Sequence, residues 1–172
     1  MKILYTVTTG LLLAVSLLCG CDKKESGTAE TASVKVIEPA MLISREDAKA
    51  LTGVNFGECT VKEEPRVGLK LCVYDKDGAF LQLGLTQAAF MDKKTSEGGN
   101  TPESIFKTTK SAFKDAGKIE GVGDDNFLAP PGLHILKGSY YLTVSLGMSK
   151  DNEKLKAAGL RAVENLNKYS GK

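Results

Sequence analysis

The sequence predicts an α+β fold, a mainly antiparallel sheet with helices packed on it, in the order α, three β, α, three β, α. Three observations predict it. Alternating segments are separated only by tight-turn residues, Asp75-Lys76-Asp77-Gly78 and Gly138-Ser139, so neighbouring strands join through hairpins and not through helical crossovers. Leu81, Leu83 and Leu85 alternate with Gln82 and Gly84, as Tyr140, Leu142, Val144 and Leu146 do with Tyr141, Thr143 and Ser145, the pattern of strands with one buried face. Other segments carry apolar stripes at helical spacing.

Taken in order, Ser44 with Asp47 three residues on forms a capping signal for a helix over 45–51, which Gly53 can close. Strands are expected over 58–62, 69–74 and 79–86. A polar loop spans 96–100. Thr101 and Pro102 then supply a cap and a first-turn residue for a helix reaching about Gly117, with Ile105, Phe106, Thr109, Ala112, Phe113 and Ala116 on one stripe. After residues 118–120 and a Gly-Asp turn, strands are expected near Phe127, over 133–137 and over 140–148. A last helix over 152–168 sets Leu155, Ala158, Ala162, Val163 and Leu166 on one face.

The first residues read differently. Met1-Lys2, an apolar stretch from Ile3 to Leu18, and Gly20 before Cys21 form a secretory signal. The apolar stretch is slightly short for a membrane span, which needs roughly 20 residues. Leu18-Cys19-Gly20-Cys21 resembles the lipobox of bacterial lipoproteins, a resemblance confined to the export segment. It implies that Cys21 carries the diacylglyceryl group, that the chain is cut before it, and that the new amine can be acylated, with palmitate-type chains holding the protein to a bilayer. Cys19 stands where Ser or Ala is commoner, and it is not the modified residue because Ser16-Leu17-Leu18 fits the motif less well. Asp22 resembles the inner-membrane retention signal of enterobacterial lipoproteins, Lys23 can weaken it, and the outer membrane stays open. The expected organisation is a signal peptide over 1–20, a flexible tether over 21–40 rich in Lys, Glu, Ser, Thr, Gly and Ala, and a single domain over 41–172.

Composition narrows the class. With 42% hydrophobic and 26% charged residues the chain is neither disordered nor polytopic, and 23 basic against 21 acidic residues leave no footprint for nucleic acid. Cys59 and Cys72, on adjacent predicted strands in an oxidising compartment, are expected to pair. Closing the 12-residue loop between them stabilises a fold by roughly 3 kcal/mol. There is no Cys-x-x-Cys and no local His cluster to suggest redox or metal chemistry.

Catalytic signals are sparse. His134, the single histidine, sits among Leu133, Ile135 and Leu136, where alternation predicts a strand-surface position with no nucleophile or carboxylate nominated nearby. Gly121-Val122-Gly123-Asp124-Asp125-Asn126 lacks both the further glycine of a phosphate loop and the ligand spacing of a calcium loop, so it reads as a turn. Asp124, Asp125 and Asn126 are nevertheless candidate partner contacts, together with the Pro130-Pro131-Gly132 loop expected at the same sheet end. The outward member of the pair Tyr140 and Tyr141 is read as core or ordinary surface before interface anchor. The spread of elements over about 42–168, with its Gly121-Val122-Gly123-Asp124 turn and closing amphipathic helix, is similar to small lipoprotein domains of the PsbP-like sandwich type. That likeness implies a binding or assembly factor without chemistry of its own. No cofactor and no metal is expected. The partners are a lipid bilayer, through acylated Cys21, and an unidentified envelope protein. A hydrolase with dispersed residues and a proteinaceous enzyme inhibitor are the alternatives.

Overall fold

A computed structural model describes residues 35–147 and 151–171, so Cys21 and the export segment lie outside the described residues. The fold is α+β. Helix α1 (Arg45–Thr52) is followed by strands β1 (Thr60–Glu64), β2 (Leu69–Lys76) and β3 (Ala79–Gln87). Helices α2 (Lys93–Glu97) and α3 (Pro102–Ser111) come next, then β4 (Asp125–Ala129), β5 (Gly132–Lys137), β6 (Tyr140–Ser145) and α4 (Asn152–Tyr169). Short 3-10 turns lie at Pro39–Met41, Pro65–Val67 and Ala88–Phe90.

The six strands form one sheet in the order β1-β2-β3-β6-β5-β4, every pair antiparallel. Two three-stranded meanders therefore meet where β3 pairs with β6. Directly opposed residues share a face. Val61, Cys72, Leu83, Val144, Leu133 and Leu128 line one face, and Lys62, Leu71, Gly84, Thr143, His134 and Phe127 line the other. The first face carries the main core, which α4 closes with Leu155, Ala158, Ala162 and Leu166 and α1 with Ala48. On the second face α3 lays Phe106 against Phe127 and Tyr141, a smaller cluster over the second meander.

Both capping signals are realised. The Ser44 hydroxyl accepts from the Asp47 N–H while the Asp47 carboxylate accepts from the Ser44 N–H, and Thr101 and Ser104 do the same for α3. Several boundaries differ from expectation. β1 begins at Thr60 instead of Glu58 and runs on to Glu64. α3 stops at Ser111, six residues short of Gly117, and Phe113 lies beyond the helix, where its ring stacks on Phe127 at 6.2 Å. α2 was not expected, and it runs into the start of the polar loop at Ser96 and Glu97. Its five residues are all polar, so no apolar stripe marked it, and Asp92, whose carboxylate accepts from the Thr95 N–H, is its single signal.

Residues 37–40, expected in the tether, belong to the domain. Ile37 is buried, and its N–H and carbonyl are both taken by the Gln87 side-chain amide at 2.8 Å. Lys70 reinforces this attachment by pairing with Glu38 and Glu63. Burial pushes the Lys70 ammonium down, but the two carboxylates outweigh it and hold its affinity for the proton above the ordinary lysine value.

Candidate functional site

The face that carries α3 gathers His134, Tyr141 and Asp125 from the residues singled out above. His134 stands on β5, yet it is only 3% exposed, which corrects the expected surface position. Alternation does send it away from Leu133 and Ile135; it ends up buried because α3 covers this face too. The same cover places Tyr141 at 7% exposure. Within this cluster the His134 ring lies flat on Phe127, with centroids 4.4 Å apart and planes 9° from parallel. Its Nδ1 is 2.7 Å from the Tyr141 hydroxyl, and its Nε2 is 3.2 Å from the Ala129 carbonyl and 3.3 Å from that of Pro130. Two carbonyls can only accept, so Nε2 carries the hydrogen and Nδ1 accepts from Tyr141 in the neutral ring. Burial lowers the proton affinity of the ring below the ordinary histidine value, and the Pro130 and Ala129 carbonyls offset only part of that.

The Asp124 to Asn126 segment is bound into the fold. Asn126 is 2% exposed, and its side chain accepts from the Ile119 N–H and donates to the Ile119 and Val122 carbonyls. It is therefore a holder of the 119–122 loop, not a surface contact. Asp125 meets the Lys110 ammonium of α3 with both oxygens, at 2.8 and 2.6 Å. Burial pushes the Asp125 carboxyl up, while Lys110 and the Asn126 N–H together outweigh burial and keep it below the ordinary aspartate value. Asp124 pairs with Lys137 at 2.7 Å and accepts from the Gly138 N–H at 2.7 Å, fastening the β5–β6 turn. The Pro130-Pro131 turn is not its neighbour. Asp125 opens β4 and Ala129 closes it, so the two loops lie at opposite ends of that strand, roughly 15 Å apart at the rise of an extended chain.

No family model, curated protein or solved structure matches this chain. The site must be read from its own geometry. Beside α3 a cleft of about 390 Å³ is lined by Glu64, Arg66, Val67, Thr95, Asn100 and Ile105. On the same face Leu69, Leu71 and Val73 of β2 are only half-buried. Cys59 and Cys72 form a disulfide with a Cα separation of 5.5 Å, at the root of the exposed edge strand β1. Among the described residues no group of three or more His, Cys, Asp or Glu is placed to hold a metal ion. Among them, too, no helix is long and apolar enough to cross a membrane.

Chemically, the arrangement around His134 favours order over turnover. A general base needs a ring nitrogen free to reach a substrate. Here one nitrogen faces two backbone carbonyls and the other a buried phenol, beneath a helix. The sequence signal that could have shown this is Phe127: an aromatic directly opposite His134 on the neighbouring strand argues for a covered face.

Proposed function

We propose that this chain is an exported lipoprotein, held to a membrane through acylated Cys21, whose α+β domain is a non-enzymatic binding or assembly module of the cell envelope. The observation that carries the proposal is the Cys59–Cys72 disulfide, since such bonds persist chiefly in oxidising compartments outside the cytoplasm. It agrees with the address implied by Leu18-Cys19-Gly20-Cys21. The internal commitment of both His134 nitrogens supports the non-enzymatic half of the reading over the hydrolase.

The anchor is tested by fractionation. Cys21→Ser is expected to release the protein from membranes or to leave the uncut precursor, and to abolish incorporation of labelled palmitate. A Cys21→Ser protein of mature size that still sediments with membrane would sink the anchor. Crosslinking in the native membrane, from a photoreactive residue at the exposed Val67, tests the binding role. One recurrent envelope protein is the expected product, and an inhibitor of a secreted enzyme would reveal itself there by the identity of that product.

A further inference from the structure

His134 links the β4–β5 turn, β4 and β6. Its Nε2 holds the carbonyls of the β4–β5 turn, its ring lies on Phe127 of β4, and its Nδ1 meets Tyr141 of β6. Tyr141 in turn sits edge-on beneath Phe106 of α3, at 5.4 Å between ring centroids, with the Thr109 hydroxyl beside its own. Thr109 donates to the Ile105 carbonyl at 2.8 Å. Contacts thus run from the turn, through His134 and Tyr141, to Phe106 of α3.

Two proton arrangements fit these contacts. With a neutral ring, Nε2–H faces the turn carbonyls and Nδ1 accepts from the Tyr141 hydroxyl. With a protonated ring, Nδ1–H donates to the Tyr141 oxygen, and that hydroxyl turns its hydrogen away from the ring. The cost is charge: the imidazolium would sit 3% exposed among Phe106, Phe127 and Tyr141.

The charged groups on the surrounding elements offer it little relief. On α3 Lys107 pairs with Glu103, and Lys110 pairs with Asp125 at the start of β4. Lys114 and Asp115, in the segment after α3, are exposed. The turn at 129–131 carries no titratable side chain, and β6 contributes only Tyr141 to this face beside Thr143 and Ser145. The relief available is to lift α3, ten residues long and held by one aromatic cluster and one partly exposed ion pair, so that water reaches the ring.

We propose that His134 is a proton-operated latch on α3: uptake of one proton in mildly acidic medium releases the helix and bares Phe106, Phe127 and Tyr141. Those rings lie on the face where Leu69, Leu71 and Val73 are already half-buried, so acid enlarges a single apolar surface. The burial that lowers the ring's proton affinity supports the closed state at neutral pH.

Hydrogen exchange of the full-length protein, followed by mass spectrometry and corrected for intrinsic rates, tests the latch. If the uncovered ring has an ordinary value of about 6.5 while the covered ring resists the proton, opening of α3 rises about thirtyfold by pH 5. At every pH in this range α3 should exchange faster than β2 and β3, whose central amides open only with the whole fold. In His134→Gln the slope of α3 exchange with pH should vanish, whatever its level. A flat α3 in the wild type, or a slope that survives in His134→Gln, overturns the proposal. Should His134→Gln fail to fold, the wild-type ring resonance decides: a midpoint below 6.5 that tracks α3 opening supports the latch, and one at or above 6.5 overturns it.

Discussion

Asn126 shows what one side chain can hold. Outside β4 the described residues form no further strand, and the Asn126 amide takes the place of one by bonding Ile119 twice and Val122 once, while Leu128 donates to Gly117 at 2.8 Å. Asn126→Ala leaves a buried N–H and two carbonyls without that partner, at about 1–3 kcal/mol for each group that water cannot reach. The expected loss is about 3 kcal/mol, roughly 10 °C in melting temperature for a domain of this size. A scanning calorimetry shift under about 2 °C would show that the amide contributes nothing. The role was illegible in Asp124-Asp125-Asn126 because three polar residues in a row look alike until the strand's first residue is known. Once β4 starts at Asp125, alternation sends Asp125 and Asn126 to opposite faces, one toward Lys110 and the other into the core.

At the scale of elements, β1 is held from one side only. All five of its residues are exposed, and Lys62-Glu63-Glu64 line an edge whose charges discourage pairing with another chain. Its attachment is the ladder to β2, the Glu63–Lys70 pair and the disulfide. Non-reducing peptide mapping of the protein isolated from cells should find Cys59 joined to Cys72, and Cys72→Ala should lower the melting temperature by several degrees, in keeping with about 3 kcal/mol for a loop this short. Free thiols at both positions would refute the pairing. Gly132 sets a different constraint, since a Cβ there runs into the carbonyl oxygen of Val144 on the neighbouring strand, which cannot move without breaking the ladder. Gly132→Ala should therefore cost more than about 2 kcal/mol in urea unfolding, and a neutral result would show that the turn can shift away. Helix starts were readable because caps are local, as Ser44 and Thr101 show. The end of α3 was not, because it is set by Phe113 reaching Phe127, fourteen residues along the chain.

Over the whole molecule, hairpins and alternation are local signals and revealed the fold class, whereas the β3–β6 pairing that fuses the two meanders joins residues such as Leu85 and Leu142 that are far apart in sequence. That pairing, with α3 above and α4 below, buries both faces of the second meander, so a pattern read as half-buried strands became a double-sided core around His134 and Tyr141. The same double burial governs stability against acid. The folded ring of His134 has a lower proton affinity than the ordinary value of about 6.5, so the unfolded chain binds a proton that the folded chain refuses. Its contribution is complete above that value and declines as pH falls from there toward the folded one. Asp125 is also held below its ordinary value, but its contribution is lost only as pH drops through the aspartate range near 4, and the lowered carboxyls of Asp92 and Glu46 act in the same acid range. Between about pH 6.5 and 4.5 the fall therefore belongs to His134, with a limit near 1.4 kcal/mol per pH unit for one proton. Urea midpoints measured at pH 7.5, 6.0 and 5.0 should decline in the wild type and stay level in His134→Gln, with the two proteins falling together below about pH 4.5. Parallel declines throughout would place the acid sensitivity in groups other than His134 and leave its burial without a thermodynamic consequence.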